Sequence, residues 1–73
     1  MTTTDFVIQL ATVPDRDGVV AEIWGDRELL AELQLKESQV QVELYHRQDG
    51  RPWVLSYDRL VELLSKAQSQ LRT

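Results

Sequence analysis

Apolar and polar residues alternate through most of the first 45 positions, a period of two that is typical of strands with one buried face. Segments containing glycine, proline and aspartate separate the alternating runs, and such residues favour turns. The positions expected on the inner side are Phe6, Ile8, Leu10, Ala21, Ile23, Leu33, Val40, Val42 and Leu44. The pattern predicts an antiparallel meander of four strands, followed at residues 53–55 by either a short fifth strand or an extended piece.

Residues 28–35 fit two kinds of element. In a strand, Leu29, Ala31 and Leu33 would share one side, whereas in a helix Leu29, Leu30 and Leu33 would form a stripe. Eight residues make a short helix, and the segment lies between two clear strands with short turns at residues 25–26 and 37–38. We therefore favour a strand.

The last part of the chain has the 3.6-residue period of an amphipathic helix. Its apolar face is formed by Leu60, Leu63, Leu64, Ala67 and Leu71. Ser56 is the expected N-cap, since its hydroxyl can accept a hydrogen bond from a free N–H group of the first turn. Leu60, Leu64 and Leu71 complete the expected core.

These elements predict an α+β fold: an antiparallel four- to five-stranded β-meander with one C-terminal amphipathic helix packed on one face. We expect a single small domain at residues 5–73, preceded by a disordered lead-in at residues 1–4.

Composition narrows the class of protein. The chain has 73 residues, twelve acidic side chains against eight Lys and Arg, a net charge of −4 and no cysteine. An acidic chain is poorly suited to phosphate backbones, so nucleic acid is not an expected partner. The sequence has no apolar run long enough to span a membrane and no secretory signal pattern. Together with the lack of cysteine, this favours the cytoplasm.

Catalytic and metal-binding patterns are poor. His46 is the single histidine, and the three glycines lie in separate turns. A metal site needs several convergent ligands, and a phosphate-binding loop needs clustered glycines. We therefore expect no enzymatic activity, no metal and no cofactor.

The outer side of the predicted sheet carries the most informative residues. Alternation places Glu22, Trp24, Glu32, Glu43 and Tyr45 there, together with the aliphatic Val7, Val20 and Leu30. Exposed aromatic and aliphatic residues mark association surfaces, and the glutamates favour a partner with a basic patch. The alternative is that Trp24 and Tyr45 pack as a cross-strand pair on a solvated sheet.

A secondary patch is predicted where the meander leads into the helix. It contains His46, Arg47, Arg51 and Trp53. Trp53 either fills the end of the core or joins the arginines in an exposed cluster for an anion or a nucleic-acid base.

The sequence thus predicts a small acidic, non-catalytic protein-binding module, an inhibitor or regulator that binds a larger protein through the outer face of its sheet. The alternative is a homo-oligomeric structural or accessory protein whose sheet face or edge forms a dimer interface, because a chain this short gains stability by association.

Overall fold

The computed structural model describes residues 5–12 and 18–72. Four antiparallel strands form one sheet in the order β1-β2-β3-β4, with one helix packed against it. The elements are β1 (Phe6–Thr12), β2 (Val19–Gly25), β3 (Glu28–Lys36), β4 (Gln39–Leu44) and α1 (Tyr57–Leu71). The predicted α+β meander is confirmed, and the ambiguous third segment is a strand. Residues 1–4, where the lead-in is expected, and residues 13–17 lie outside the described residues.

Two-residue turns close the hairpins on either side of β3. Asp26 and Arg27 have φ of 52° and 65°, and Glu37 and Ser38 have φ of 51° and 71°. Positive φ at both central residues is the geometry of a type I′ turn, whose twist matches the flanking strands. The first turn lies one residue later than predicted, because Gly25 remains paired in β2.

The helix begins where the sequence predicts. The Ser56 hydroxyl accepts a hydrogen bond of 3.1 Å from the Arg59 backbone N–H, and Asp58 lies in the first turn, where the helix dipole favours a negative charge. α1 contacts β2 most extensively, and also β1 and β3. The buried core cluster consists of Ala21, Ile23, Leu30, Ala31, Leu33, Leu63 and Ala67.

A bulge in β3 places Leu30 in this core. The pairing with β2 shifts between Ile23, which faces Ala31, and Trp24, which faces Leu29. Leu30 is the extra residue, and it is buried within the core cluster. The expectation that Leu30 lies on the outer side is wrong, because a bulge breaks strict alternation.

Three of the predicted core residues are exposed. Leu10, Val42 and Leu44 have exposed fractions of 45%, 43% and 67%. All three lie on the two edge strands of the sheet, Leu10 on β1 and the other two on β4. Val20 was expected to add accessible apolar surface to the outer side. Its side chain lies on that side but is completely buried. Of the two alternatives for residues 53–55, the fifth strand is not formed, since residues 51–56 make no sheet pairing among the described residues.

Candidate protein-binding face

Three glutamates form a row across the outer side of the sheet, perpendicular to the strands. Glu22 on β2 pairs directly with Glu32 on β3, and Glu32 pairs directly with Glu43 on β4. Directly opposite residues on one face have Cβ atoms about 4.5–5.5 Å apart. The register therefore brings together three acids that are ten or more positions apart in the chain. We call Glu22, Glu32 and Glu43 the glutamate row.

Two aromatic side chains bond to this row. The Trp24 indole Nε1–H donates to Glu22 Oε1 at 3.1 Å, and the Tyr45 hydroxyl donates to Glu32 Oε1 at 3.0 Å. Both rings are half-buried. All five residues predicted for the outer face thus lie on it, and the aromatic groups orient two of the three carboxylates.

The environment of Tyr45 keeps its hydroxyl protonated. Burial, followed by the hydrogen bond and negative charge of Glu32 and then the influence of Glu43, raises the pKa of Tyr45 from 10.0 to about 12. Each effect disfavours the phenolate. The hydroxyl is protonated at neutral pH, as in an ordinary tyrosine, and the raised pKa extends this donor form to higher pH.

The row opposes the stability of the sheet. Like charges directly opposite one another on neighbouring strands are destabilising, with cross-strand pairs worth roughly 0.2–1 kcal/mol each. A folding requirement alone would favour Gln or Thr at these positions. Natural chains most often break such local rules at functional sites.

Apolar surface borders the glutamate row on one side. Val7 on β1 pairs with Trp24 and is 58% exposed. The helix contributes to the core on the opposite side of the sheet. Val20, the other aliphatic residue expected here, is fully buried and adds no accessible surface. The open part of this face therefore includes the row, its two aromatic rings and Val7, together with the exposed Gln9 and Gln41.

The secondary patch is organised by ion pairs. Arg47 Nη2 lies 3.1 Å from Asp26 Oδ2 and 2.9 Å from Glu28 Oε2, and its guanidinium carbon lies 4.5 Å from the centre of the Trp53 ring. Glu28 also accepts from the backbone N–H of Gln48 at 2.6 Å. These contacts tie the loop after β4 to the β2–β3 turn, and the hydrogen bonds to Glu28 and Asp26 raise the pKa of Arg47.

The other members of this patch do not converge on a ligand. His46 Nδ1 lies 2.7 Å from the backbone oxygen of Arg47. Arg51 is highly exposed and pairs with Asp49 at 3.6 Å. Trp53 combines the two predicted alternatives, since it packs against the core while one face of its ring contacts Arg47.

A cavity of about 300 Å³ opens beside Trp53. Two arginines line it, and the Arg59 guanidinium lies 5.5 Å from the centre of the Phe6 ring. Arg47 is paired with two carboxylates, and Arg59 is paired with Glu62. The acids compensate both cations, so the cavity is poorly suited to the anion predicted for this patch.

The sequence did not identify Phe6, Asp26, Glu28 and Arg59 as part of this cluster. The ion pairs of Arg47 with Asp26 and Glu28 join positions whose proximity depends on the strand register and on the path of residues 45–56. The pair of Arg59 with Glu62 is local, one helical turn apart. A basic residue next to an aromatic one was the only signal visible along the chain.

Other site classes find no support in the part of the chain that the structure describes. Residues 5–12 and 18–72 contain no group of three or more His, Cys, Asp or Glu that could hold a metal ion. The described helix is too short and too polar to cross a membrane.

Comparison of the chain with known protein families, characterised proteins and solved structures finds no match.

Proposed function

We propose that this chain is a small, non-catalytic protein-binding module that presents its outer sheet face to a basic surface of a larger protein, as an inhibitor or regulator. The observation that carries the proposal is the glutamate row, oriented by hydrogen bonds from Trp24 and Tyr45. A cytoplasmic location is part of the proposal and accords with the absence of cysteine.

The physical support is preorganisation. The row lies on three paired strands rather than on a loop, and two of its carboxylates are held by aromatic donors. A surface that is already ordered loses little conformational entropy on binding. A line of negative charge also accelerates encounter with a positive surface and disfavours acidic competitors.

The test compares two sets of proteins captured from a lysate of the source cells. In the face variant, Glu22, Glu32 and Glu43 are all replaced by Gln, which keeps their size and hydrogen-bond acceptors. The control variant carries Glu37→Gln, Asp49→Asn and Asp58→Asn, which remove the same charge from exposed positions in turns and at the start of the helix, outside the glutamate row. Circular dichroism confirms that both variants fold.

We expect one or a few proteins with a basic surface patch to bind the wild type and the control. The same proteins should be lost from the face variant and should elute from the wild type as ionic strength rises, because salt screens surface charges. Equal capture by the wild type and the face variant would contradict the proposal. Equal loss from both variants would show that only the net charge matters.

A homo-oligomer is the second candidate, and one observation decides which surface it would use. Two copies packed through their outer faces would bring two glutamate rows into contact, and like charges across an interface are strongly unfavourable. The β4 edge carries no such row along its apolar side. An oligomer is therefore favoured at the edge rather than at the outer face.

A further inference from the structure

β4 forms an edge of the sheet, and its free hydrogen-bonding groups can be identified. The backbone N–H of Tyr45 donates to the carbonyl of Leu30 at 3.0 Å, and Leu44 is paired with Ala31. In an antiparallel ladder this makes Leu44 a non-hydrogen-bonded partner of Ala31. The N–H and C=O groups of Val40, Val42 and Leu44 therefore point away from β3, where no described strand pairs with them.

The same three residues carry the apolar side chains of β4. Val42 and Leu44 are exposed, although their side chains lie on the helix side of the sheet. Natural edge strands are protected by Lys, Pro, bulges or short length. The sequence of β4, Gln-Val-Gln-Val-Glu-Leu, has no Pro or Lys, and its pairing with β3 is regular. It is an unprotected edge with an apolar side.

We propose that β4 pairs in an antiparallel manner with β4 of a second copy of this chain, about a two-fold axis at Val42. In this register Val42 faces its own counterpart, and Val40 faces Leu44 of the second copy. In each copy, Val40, Val42 and Leu44 each supply one N–H and one C=O. Six hydrogen bonds therefore form across the interface. All apolar side chains then meet apolar side chains on the helix side.

The register with its axis at Val42 is favoured over the registers with an axis one residue later or one residue earlier. With the axis at Val42, Glu43 of one copy faces Gln41 of the other. With the axis one residue further along, at Glu43, two glutamates would be directly opposite, which is destabilising. An axis at Gln41 would leave Leu44 of each copy without a facing residue in the other β4. The register at Val42 is the one that matches hydrogen bonds, apolar side chains and charges together.

The pairing would double the proposed binding face without covering it. A two-fold axis perpendicular to the sheet places both helices on one side and both outer faces on the other. Four strands from each copy would form one eight-stranded sheet carrying two glutamate rows. Since both rows are negative, salt should strengthen the dimer, whereas it should weaken capture of a basic partner.

The first test measures mass in solution by sedimentation across the micromolar range. We expect a species of twice 8.5 kDa for the wild type. Leu44→Lys should raise the dimer dissociation constant by at least about tenfold, since an inward or edge lysine is a device that blocks strand pairing. The matched control is Val54→Lys, at an 88% exposed position outside the sheet, which should leave the dimer unchanged.

The second test examines the register by disulfide formation, which is selective because the chain has no cysteine of its own. Gln41 and Glu43 of opposite copies would be a non-hydrogen-bonded pair with Cα atoms about 4.5 Å apart, within disulfide range. An oxidised mixture of Gln41→Cys and Glu43→Cys chains should form the mixed disulfide. Each variant alone should cross-link much less, because like positions of the two copies lie diagonally apart.

These outcomes separate the dimer from the proposed partner surface. A wild type that stays monomeric, that forms only larger assemblies, or whose dimer survives Leu44→Lys would overturn the β4 interface. The variant with Gln at all three row positions should remain dimeric even where it loses its captured partner. Loss of the dimer in that variant would assign self-association to the outer face instead.

Discussion

β2 and β4 have nearly the same alternating pattern and opposite environments. On β2, Ala21 and Ile23 are completely buried beneath α1, whereas on β4, Val42 and Leu44 are 43% and 67% exposed on the same side of the sheet. Leu33, which pairs with Val42 from the adjacent strand β3, is buried. Alternation thus identifies the side on which a residue lies, but not whether anything covers that side.

The width of the elements explains the difference. Neighbouring strands lie about 4.8 Å apart, whereas a helix with its side chains is only about 10–12 Å across. One helix therefore covers two or three strands, and a fourth remains at the margin. α1 is centred on β2 and contacts both of its neighbours, which leaves β4 outside.

The sharpest test of this comparison is truncation on the two strands. Ile23→Ala should destabilise the fold by about 2–5 kcal/mol, as for a buried aliphatic residue that leaves a cavity. Leu44→Ala should cost no more than about 0.5 kcal/mol in the monomer, as for an exposed position. Urea denaturation measures both free energies of unfolding at a concentration below dimer formation. Similar losses in the two variants would mean that β4 is covered in solution.

The strands, the helix and its N-cap were all predictable from the chain because each depends on local periodicity or on one capping residue. Leu30 could not be placed correctly, since the bulge is visible only once β3 is paired with β2. The sequence also could not show which inner-side residues lie beneath α1. Val42 and Ile23 occur in equivalent alternating patterns, and only the position of α1 distinguishes them.

The candidate site likewise has one feature that the sequence predicts and one that it does not. Alternation places Glu22, Glu32 and Glu43 on the outer side, and the sequence predicts this much. Their alignment into one row depends on the register across two hairpins, which the turns at Asp26 and Glu37 determine. A shift by two residues in either hairpin would keep the side and lose the row.

A second substitution tests the two sides of β2 itself. Trp24 follows Ile23 in the chain but lies on the outer side, half-buried and bonded to Glu22. Trp24→Ala should therefore cost about 1 kcal/mol of folding stability, near the middle of point-mutant effects, and clearly less than Ile23→Ala. Thermal and urea denaturation of the two variants in parallel make the measurement. A Trp24 loss as large as that of Ile23 would show that a second layer covers the outer side.

A smaller effect of opposite sign is expected at the centre of the glutamate row, which links β2 to β4. Glu32→Gln removes the charge that opposes both Glu22 and Glu43 and retains an oxygen that can accept from Tyr45. We expect the fold to become more stable by roughly 0.2–1 kcal/mol, and the gain should shrink as salt is added.

The control for this gain is Glu37→Gln, which removes one negative charge in the β3–β4 turn, outside the row. It should change the free energy of unfolding by less than Glu32→Gln does at low salt. If Glu32→Gln instead destabilises the fold, the charge of Glu32 contributes more through its hydrogen bond than it costs by repulsion. The row would then be a structural feature.

The last effect is expected at high pH, where Tyr45 fastens the end of β4 to β3. Its pKa is raised to about 12 in the fold against 10.0 for an unperturbed tyrosine, so the folded state holds the proton more tightly than the unfolded state. The resulting stability is fully present below pH 10 and is lost as pH rises from about 10 to 12. Urea denaturation across this window should therefore show a steeper decline for the wild type than for Tyr45→Phe, which lacks the titrating group.

Ultraviolet absorbance provides the matched spectroscopic measurement: Tyr45→Phe should lose the latest phenolate transition, and Tyr57→Phe, at an exposed helix position, should retain it. Parallel declines in the wild type and Tyr45→Phe would show that the Tyr45 hydroxyl does not hold β4 to β3. The contrast between the covered strand β2 and the open strand β4 would then include Tyr45, at the end of β4.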